Sequence, residues 1–308
     1  MSSVALILIN IGSPDSFDVS ESKKFLCEML SDSYMISLPV VFRKILAKMI
    51  ANKRGSTFAE NLKASQISER PPLRHYMTSL REKISDHIGM RVLTAYRYGG
   101  PSIKDAIHLA QRREAKEFVF IPMYPHFAES TTLSARKIVE KEMKKLKKSW
   151  SFCEYYFDDD LYIDALADSI KTPLEHSEAL LVCFHSLPKN QSERCGYEVQ
   201  CQQTIDLLQE RFPDTFISVA WQSSLNKKKW LAPSPEEKIE ELINAGIKNL
   251  AIICPSFACD CTETIIEIDR DLRKKFMSLG GENFHYIKCL NDSIAQMSLF
   301  ENLFYKYE

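Results

Sequence analysis

Residues 250–269, LAIICPSFACDCTETIIEID, decide how this chain reads. The uncharged apolar run at 250–253 suits a strand buried on both faces, the kind found in parallel sheets. It passes through a proline-containing loop into a helical pattern, which makes the stretch one β-loop-α unit of an open α/β sheet. Asp260, Glu263 and Glu267 stand at i, i+3 and i+7, so a regular helix stacks their carboxylates on one face. Ile265, Ile268, Leu272 and Phe276 repeat on another face and can hold that helix against the sheet. Carboxylates at the carboxyl end of a strand suit a site for a hydrated dication. Acids in a first helical turn also simply favour the helix dipole, so the column alone does not decide its own meaning.

The stretch 179–188, ALLVCFHSLP, weighs on the other side. Its apolar run reads as a second doubly buried strand, and His185 falls where that strand ends. A lone histidine is more often structural than functional. Open α/β sheets, however, bind ligands at the carboxyl ends of their strands. One strand end offering imidazole and another offering carboxylates can meet at a single site.

Composition removes other classes. The chain has 308 residues, 45% hydrophobic and 26% charged, with a formal net charge of −1. That is ordinary for a globular protein large enough for two cores. Near-neutral charge without a Lys/Arg-rich block argues against nucleic acid as a partner. The opening MSSVALILINIGSP enters a strand directly. It lacks the basic leader of a signal peptide, and its apolar run is too short to span a bilayer, so a cytoplasmic location is expected. Nine cysteines are an odd count that suits reduced thiols. Without a CxxC pair, a bound cluster has little support.

Strands are expected at 4–10, 91–96, 117–122, 152–156, 179–184, 218–221, 250–254 and 284–289, with amphipathic segments such as 103–115 and 235–245 between them. The pattern predicts parallel sheets covered by helices on both faces. The chain also repeats itself. Gly100-Pro101-Ser102, a helix, a strand and Tyr124-Pro125-His126-Phe127-Ala128 form one unit. Ala232-Pro233-Ser234, a helix, a strand and Cys254-Pro255-Ser256-Phe257-Ala258 form another, about 130 residues later. The openings match more loosely, as IGSP at 11–14 and HSLP at 185–188. The expected fold is two similar doubly wound, Rossmann-like halves. The first is 1–157 with a lip at about 29–54. The second, 158–308, carries the metal site, and its last helix is free to pack back on the first half. A sizeable ligand would fit a cleft between such halves.

Seven motifs in order carry a resemblance over nearly the whole chain: LINIGSP (with Phe25-Leu26 and Leu30-Ser31-Asp32 after it), AYRYGGPS at 95–102, MYPHFAESTT at 123–132, FHSLP at 184–188, GYEVQC at 196–201, WQSSLNKKKWLAPS at 221–234 and SFACDCTETIIEID at 256–269. The chain resembles the ferrochelatases, which insert ferrous iron into a porphyrin, and is most similar to bacterial members using protoporphyrin. The resemblance implies that His185 and Glu263 form the catalytic and metal-binding pair, with Glu267 and Asp260 lining an acidic path beside them. It places Arg97, Tyr98, Tyr124 and Trp230 on the porphyrin. It makes Fe(II) and porphyrin the substrates, requires no cofactor, and shows no obligate protein partner. It also makes 29–54 a lip over the site, where Val41, Phe42, Ile45, Leu46, Met49 and Ile50 form an apolar stripe beside basic residues. Such a helix can touch a membrane surface or face a core.

The chemistry is coherent by itself. A free-base porphyrin carries two N–H protons, so insertion of a dication needs two deprotonations and removal of the metal's water. Imidazole titrates near neutral pH and can take a pyrrole proton. Glu263 and Glu267, one turn apart, repel when both are ionised, which raises one pKa and makes a proton relay. Imidazole and carboxylate also release Fe(II) more readily than thiolates, which leaves Cys259 and Cys261 poor delivery ligands. The chain departs from the family at Glu69-Arg70-Pro71-Pro72-Leu73, where a glycine-rich segment is expected. Glu129 stands where cluster-bearing relatives have cysteine, which argues against an iron–sulfur cluster. Four alternatives remain: a coproporphyrin III ferrochelatase, a cobalt chelatase of the same fold, a non-enzymatic two-lobed haem- or metal-binding protein, and a nucleotide-binding α/β protein. The last lacks both GxGxxG and GxxxxGK[ST].

Overall fold

The structure is a computed structural model that describes residues 4–224, 226 and 228–308. Leu225 and Lys227, within the 221–234 motif, lie outside the described residues. The chain divides into two compact units: Met1–Met123 with Glu129–Glu154 and Met297–Glu308, and Tyr124–Ala128 with Tyr155–Gln296.

The first unit holds strands β1 (Val4–Asn10), β2 (Val92–Tyr96), β3 (Glu117–Pro122) and β4 (Ser149–Phe152). They lie in the order β2-β1-β3-β4, all parallel. β1 is central, and Leu6, Ile7, Leu8 and Ile9 are all fully buried. An unbroken apolar strand with helices on both faces produces that burial. The second unit repeats the arrangement with β5 (Ala179–His185), β6 (Ile217–Gln222), β7 (Asn249–Ile253) and β8 (Asn283–Ile287), in the order β6-β5-β7-β8. The expected pair of similar parallel α/β halves is what the chain forms.

The repeat extends to fine detail. Ser102 and Ser234 each cap a helix (Ile103–Arg112 and Pro235–Asn244) through a reciprocal box with the acid three residues on, Asp105 and Glu237. The prolines before them, Pro101 and Pro233, both follow cis peptide bonds. Each proline's carbonyl accepts from a strand-end amide, Tyr96 N at 2.8 Å and Trp221 N at 2.9 Å. After the third strand of each sheet comes a segment with the wider π-helical i→i+5 pattern, Glu129–Leu133 and Glu263–Leu272.

Two expectations shift. The strand placed at 152–156 forms earlier, at Ser149–Phe152, because Lys147 ends the preceding helix in the left-handed region and Ser149 already pairs with Glu117. Much of the segment 29–54 expected as a lip belongs to the long helix Val40–Ala64, whose buried stripe is Ala47, Ala51, Gly55, Ala59 and Leu62. A Cβ on Gly55 would lie 2.3 Å from the Lys23 side chain, so small residues let this helix close on the helix Val19–Leu30. Val41, Phe42, Ile45 and Met49 are left 55–67% exposed. Among the described residues, no helix is long and apolar enough to cross a membrane.

Candidate active site

β5 and β6 end side by side, with His185 opposite Gln222 in their ladder. Three hydrogen bonds pin the His185 backbone and its neighbour. The His185 amide donates to Ser256 Oγ at 3.0 Å, Tyr197 Oη donates to the His185 carbonyl at 3.0 Å, and Ser186 N donates to the Gln222 carbonyl at 2.9 Å. The ring is oriented as firmly. Its Nδ1 lies 2.8 Å from the Ser186 carbonyl, an acceptor only, so Nδ1 carries the hydrogen and Nε2 keeps its lone pair. That Nε2 lies 3.5 Å from Glu263 Oε2, and both side chains reach solvent. A protonated Nε2 would thus meet an anion.

Glu263 opens the π-helical segment, and Glu267 lies four residues on. Ile268, Leu272 and Phe276 on the opposite side enter the core over β5 and β7, while Ile265 stays partly exposed. Glu267 accepts a 2.8 Å hydrogen bond from Ser223 Oγ. Loss of hydration on its inner side pushes its carboxyl up to about 7, and the nearby Glu263 adds to the shift; Ser223 and His185 oppose it. The anticipated repulsion between paired acids therefore falls on Glu267.

Asp260 does not join them. It is 2% exposed, and both its oxygens are taken. Oδ1 accepts from Thr264 Oγ1 at 2.9 Å and from Tyr286 Oη, while Oδ2 accepts from Asn291 Nδ2 at 2.6 Å. The column expected at i, i+3, i+7 fails because the helix begins after Asp260 and its turns are wider than 3.6 residues. Among the described residues, no three His, Cys, Asp or Glu side chains converge on a possible ion position. The site is an imidazole with neighbouring acids, open on one side, and not a closed cage.

The expected porphyrin residues separate in the same way. Trp230 is half-buried, and its segment is stitched to the loop after His185 by the Pro188–Trp230 bridge and by Ser186 Oγ donating to the Leu231 carbonyl at 3.0 Å. Tyr124 is buried at 8% exposure in the second unit. Arg97 and Tyr98 belong to the first unit. Tyr98 is fully buried, so its ring cannot line a ligand surface as expected. Its hydroxyl donates to Asp32 at 2.8 Å, and the Arg97 guanidinium lies 4.5 Å over its ring. Asp32 also accepts from Arg97, Ser134 Oγ and the Tyr34 amide. Burial alone would raise the Asp32 carboxyl, but these donors together hold it below its ordinary value. Gly12 completes this corner: at φ +108, a Cβ there would sit 1.9 Å from the Tyr98 carbonyl oxygen. Sequence reasoning missed Asp32 and Ser223 as partners of the site residues, although both stand inside the quoted motifs. His126 in the YPHF motif is a packing residue. Burial pushes it down to about 3, and its Nε2 lies 3.0 Å from Thr204 Oγ1.

Two four-stranded parallel sheets and a strand-end imidazole beside carboxylates define a chelatase-type α/β protein. The structure is similar to SirB from Bacillus subtilis with Fe3+, at a TM-score of 0.63 and 13% identity over 98% of this chain and 94% of that one. It is also similar to the sirohydrochlorin chelatase SirB in complex with cobalt, from B. subtilis subspecies spizizenii, at a TM-score of 0.59 and 10% identity over 97% of this chain and 92% of that one. These likenesses show the fold. The ferrochelatase family model matches residues 3–307. The chain is 33% identical to the ferrochelatase of Pseudomonas paraeruginosa over 96% of this chain and 95% of that one. It is 33% identical to that of Brucella anthropi over 97% and 90%. The chain belongs to the ferrochelatase family, enzymes that insert metal into porphyrin in haem biosynthesis.

Proposed function

We propose that this enzyme inserts Fe(II) into protoporphyrin IX, releasing two protons and protohaem, with His185 as proton acceptor and Glu263 and Glu267 as the acids that pass the metal. The observation that carries this reading is the 3.5 Å approach of His185 Nε2 to Glu263 with Nδ1 already committed to a carbonyl. An imidazole fixed in that tautomer can take a pyrrole proton and have its new charge stabilised at once. Glu267, poised near 7, can take the second proton or give up its own to water as a dication arrives. A site with one imidazole and one or two carboxylates binds a dication loosely enough to release it to four pyrrole nitrogens. Arg97 and Trp230 are assigned to the porphyrin, with Tyr98 and Asp32 supporting Arg97.

The metal is cargo, and the reaction needs no resident cofactor. Cys254, Cys259, Cys261 and Cys289 are poor cluster ligands because burial, with nearby acids, pushes each thiol well up, away from the thiolate a cluster requires. None of the nine cysteines forms a disulfide, which suits the reducing cytoplasm. The exposed Val41, Phe42, Ile45 and Met49 stripe fits a lip that collects an insoluble macrocycle, including from a membrane surface.

The test is anaerobic incubation of purified protein with Fe(II) and either protoporphyrin IX or coproporphyrin III, followed by loss of the free-base absorbance. Preference for coproporphyrin would overturn the substrate assignment. His185→Ala should abolish insertion with little change in fold, and a folded His185→Ala protein that turns over normally would remove this histidine from the mechanism. Zinc or cobalt should also be inserted, since affinities follow the ligand-field order.

A further inference from the structure

Ser223 directly follows β6 and holds φ at +61, a left-handed backbone that residues other than glycine rarely adopt. That turn aims its hydroxyl at Glu267, and Ser223 Oγ donates to Oε2 at 2.8 Å. The residue before it, Gln222, is 1% exposed and lies opposite His185, and its carbonyl accepts from Ser186 N at 2.9 Å. One peptide is thus tied on one side to the strand carrying the imidazole and on the other to the helix carrying the acid. Glu267 Oε1 has no hydrogen bond among the described residues, and the side chain keeps solvent contact.

We propose that Ser223 is a positioning residue for metal transfer: its hydroxyl holds one oxygen of Glu267 and leaves the other turned to receive the incoming dication. This rests on the reading of Glu267 as a metal-passing acid and adds the group that aims it. A bond between a half-buried serine and an exposed acid contributes little to folding. Backbone strain kept for so small a return is expected where it fixes a functional side chain. The left-handed turn also supplies clean variants. Glycine keeps the backbone and removes only the hydroxyl, while asparagine tolerates the same φ and offers an amide donor.

The experiment is steady-state Fe(II) insertion by the full chain, varying metal at saturating porphyrin and then porphyrin at saturating metal. Ser223→Gly should raise the KM for metal about tenfold, the scale of one charge-assisted hydrogen bond. The KM for porphyrin should not move and the Tm should not fall, since glycine relieves the left-handed turn, and Ser223→Asn should recover most of the loss. A metal KM within about twofold of the parent overturns the proposal, as does a shift that falls on porphyrin instead. Glu267→Gln separates the two layers. If it raises the metal KM while Ser223→Gly does not, only the role of Ser223 falls. If Glu267→Gln leaves the metal KM unchanged, the reading of the acid falls and takes the proposal with it.

Discussion

At the residue scale, the site works by opposing influences on a few groups. Glu267 is held near 7 by lost hydration and by Glu263, and a carboxyl raised in the fold favours the protonated native state. Its contribution to stability is fully present below the unfolded carboxyl value of about 4.3 and is lost as pH rises through about 7. Glu267→Gln removes that loss and can still accept the hydrogen bond from Ser223. Its Tm should therefore exceed the parent's at pH 8 and converge with it near pH 4, and equal melting at pH 8 would show that Glu267 carries no such strain. Asp32 behaves in the opposite sense. Its lowered carboxyl adds stability above the unfolded value of about 3.9, lost as pH falls through the depressed folded value. Asp32→Asn strips the anion from the Arg97 guanidinium, Tyr98 and Ser134 while leaving them buried or half-buried around it. A loss of about 3 kcal/mol in urea unfolding is expected, with weaker porphyrin binding if Arg97 drifts.

At the scale of elements, the helix Val40–Ala64 turns the usual pattern outward. It packs through alanines and a glycine, and it shows its larger apolar side chains to solvent. If that face meets lipid or an insoluble ligand, Phe42→Glu should cut co-sedimentation with anionic vesicles several-fold without lowering Tm; unchanged sedimentation would detach the stripe from any membrane role. The same helix shows what could be read in advance. Strands such as β1 and β5 were legible because each opens on an uninterrupted run of six apolar residues, which suits burial on both faces, and His185 and Glu263 stood out because each lies where a buried strand ends or in the segment after it. The burial of Ala47, Ala51 and Gly55 was not legible, since small residues add little to a hydropathy pattern. Nor was the π-helical winding from Glu263, which has no periodic signature of its own and which set Asp260 apart from the two glutamates. Ser223 and Asp32 were hidden in another way. Serine and aspartate in a turn read as ordinary loop chemistry until the partner 44 or 65 residues away is known.

At the scale of the whole molecule, the architecture is repeated but the strand-end pairing of His185 with Glu263 stands in the second unit. Matching Tyr124-Pro125 to Cys254-Pro255 sets Leu133 and Lys137 of the first unit against Glu263 and Glu267, and matching IGSP to HSLP sets Ile11 against His185. At these matched positions the first unit keeps the scaffold with an isoleucine, a leucine and a lysine in place of the imidazole and the two acids. It also recruits the end of the chain: residues Met297–Glu308 group with it, and Ser151 Oγ donates to the Tyr307 carbonyl at 2.6 Å. Leu299, Phe300, Leu303 and Phe304 are each no more than 1% exposed, so this last helix completes a core rather than decorating one. Truncating Phe300 to alanine should cost about 3–5 kcal/mol, a large share of the roughly 5–15 kcal/mol that holds an ordinary domain together. Trp150 lies in the first unit and Trp221 in the second, so single-tryptophan variants can report the two separately. In urea, Phe300→Ala should lower the midpoint seen by Trp150 more than the midpoint seen by Trp221. Equal shifts at both reporters would mean that the units unfold as one cooperative body, and that the last helix stabilises the whole chain and not the first unit alone.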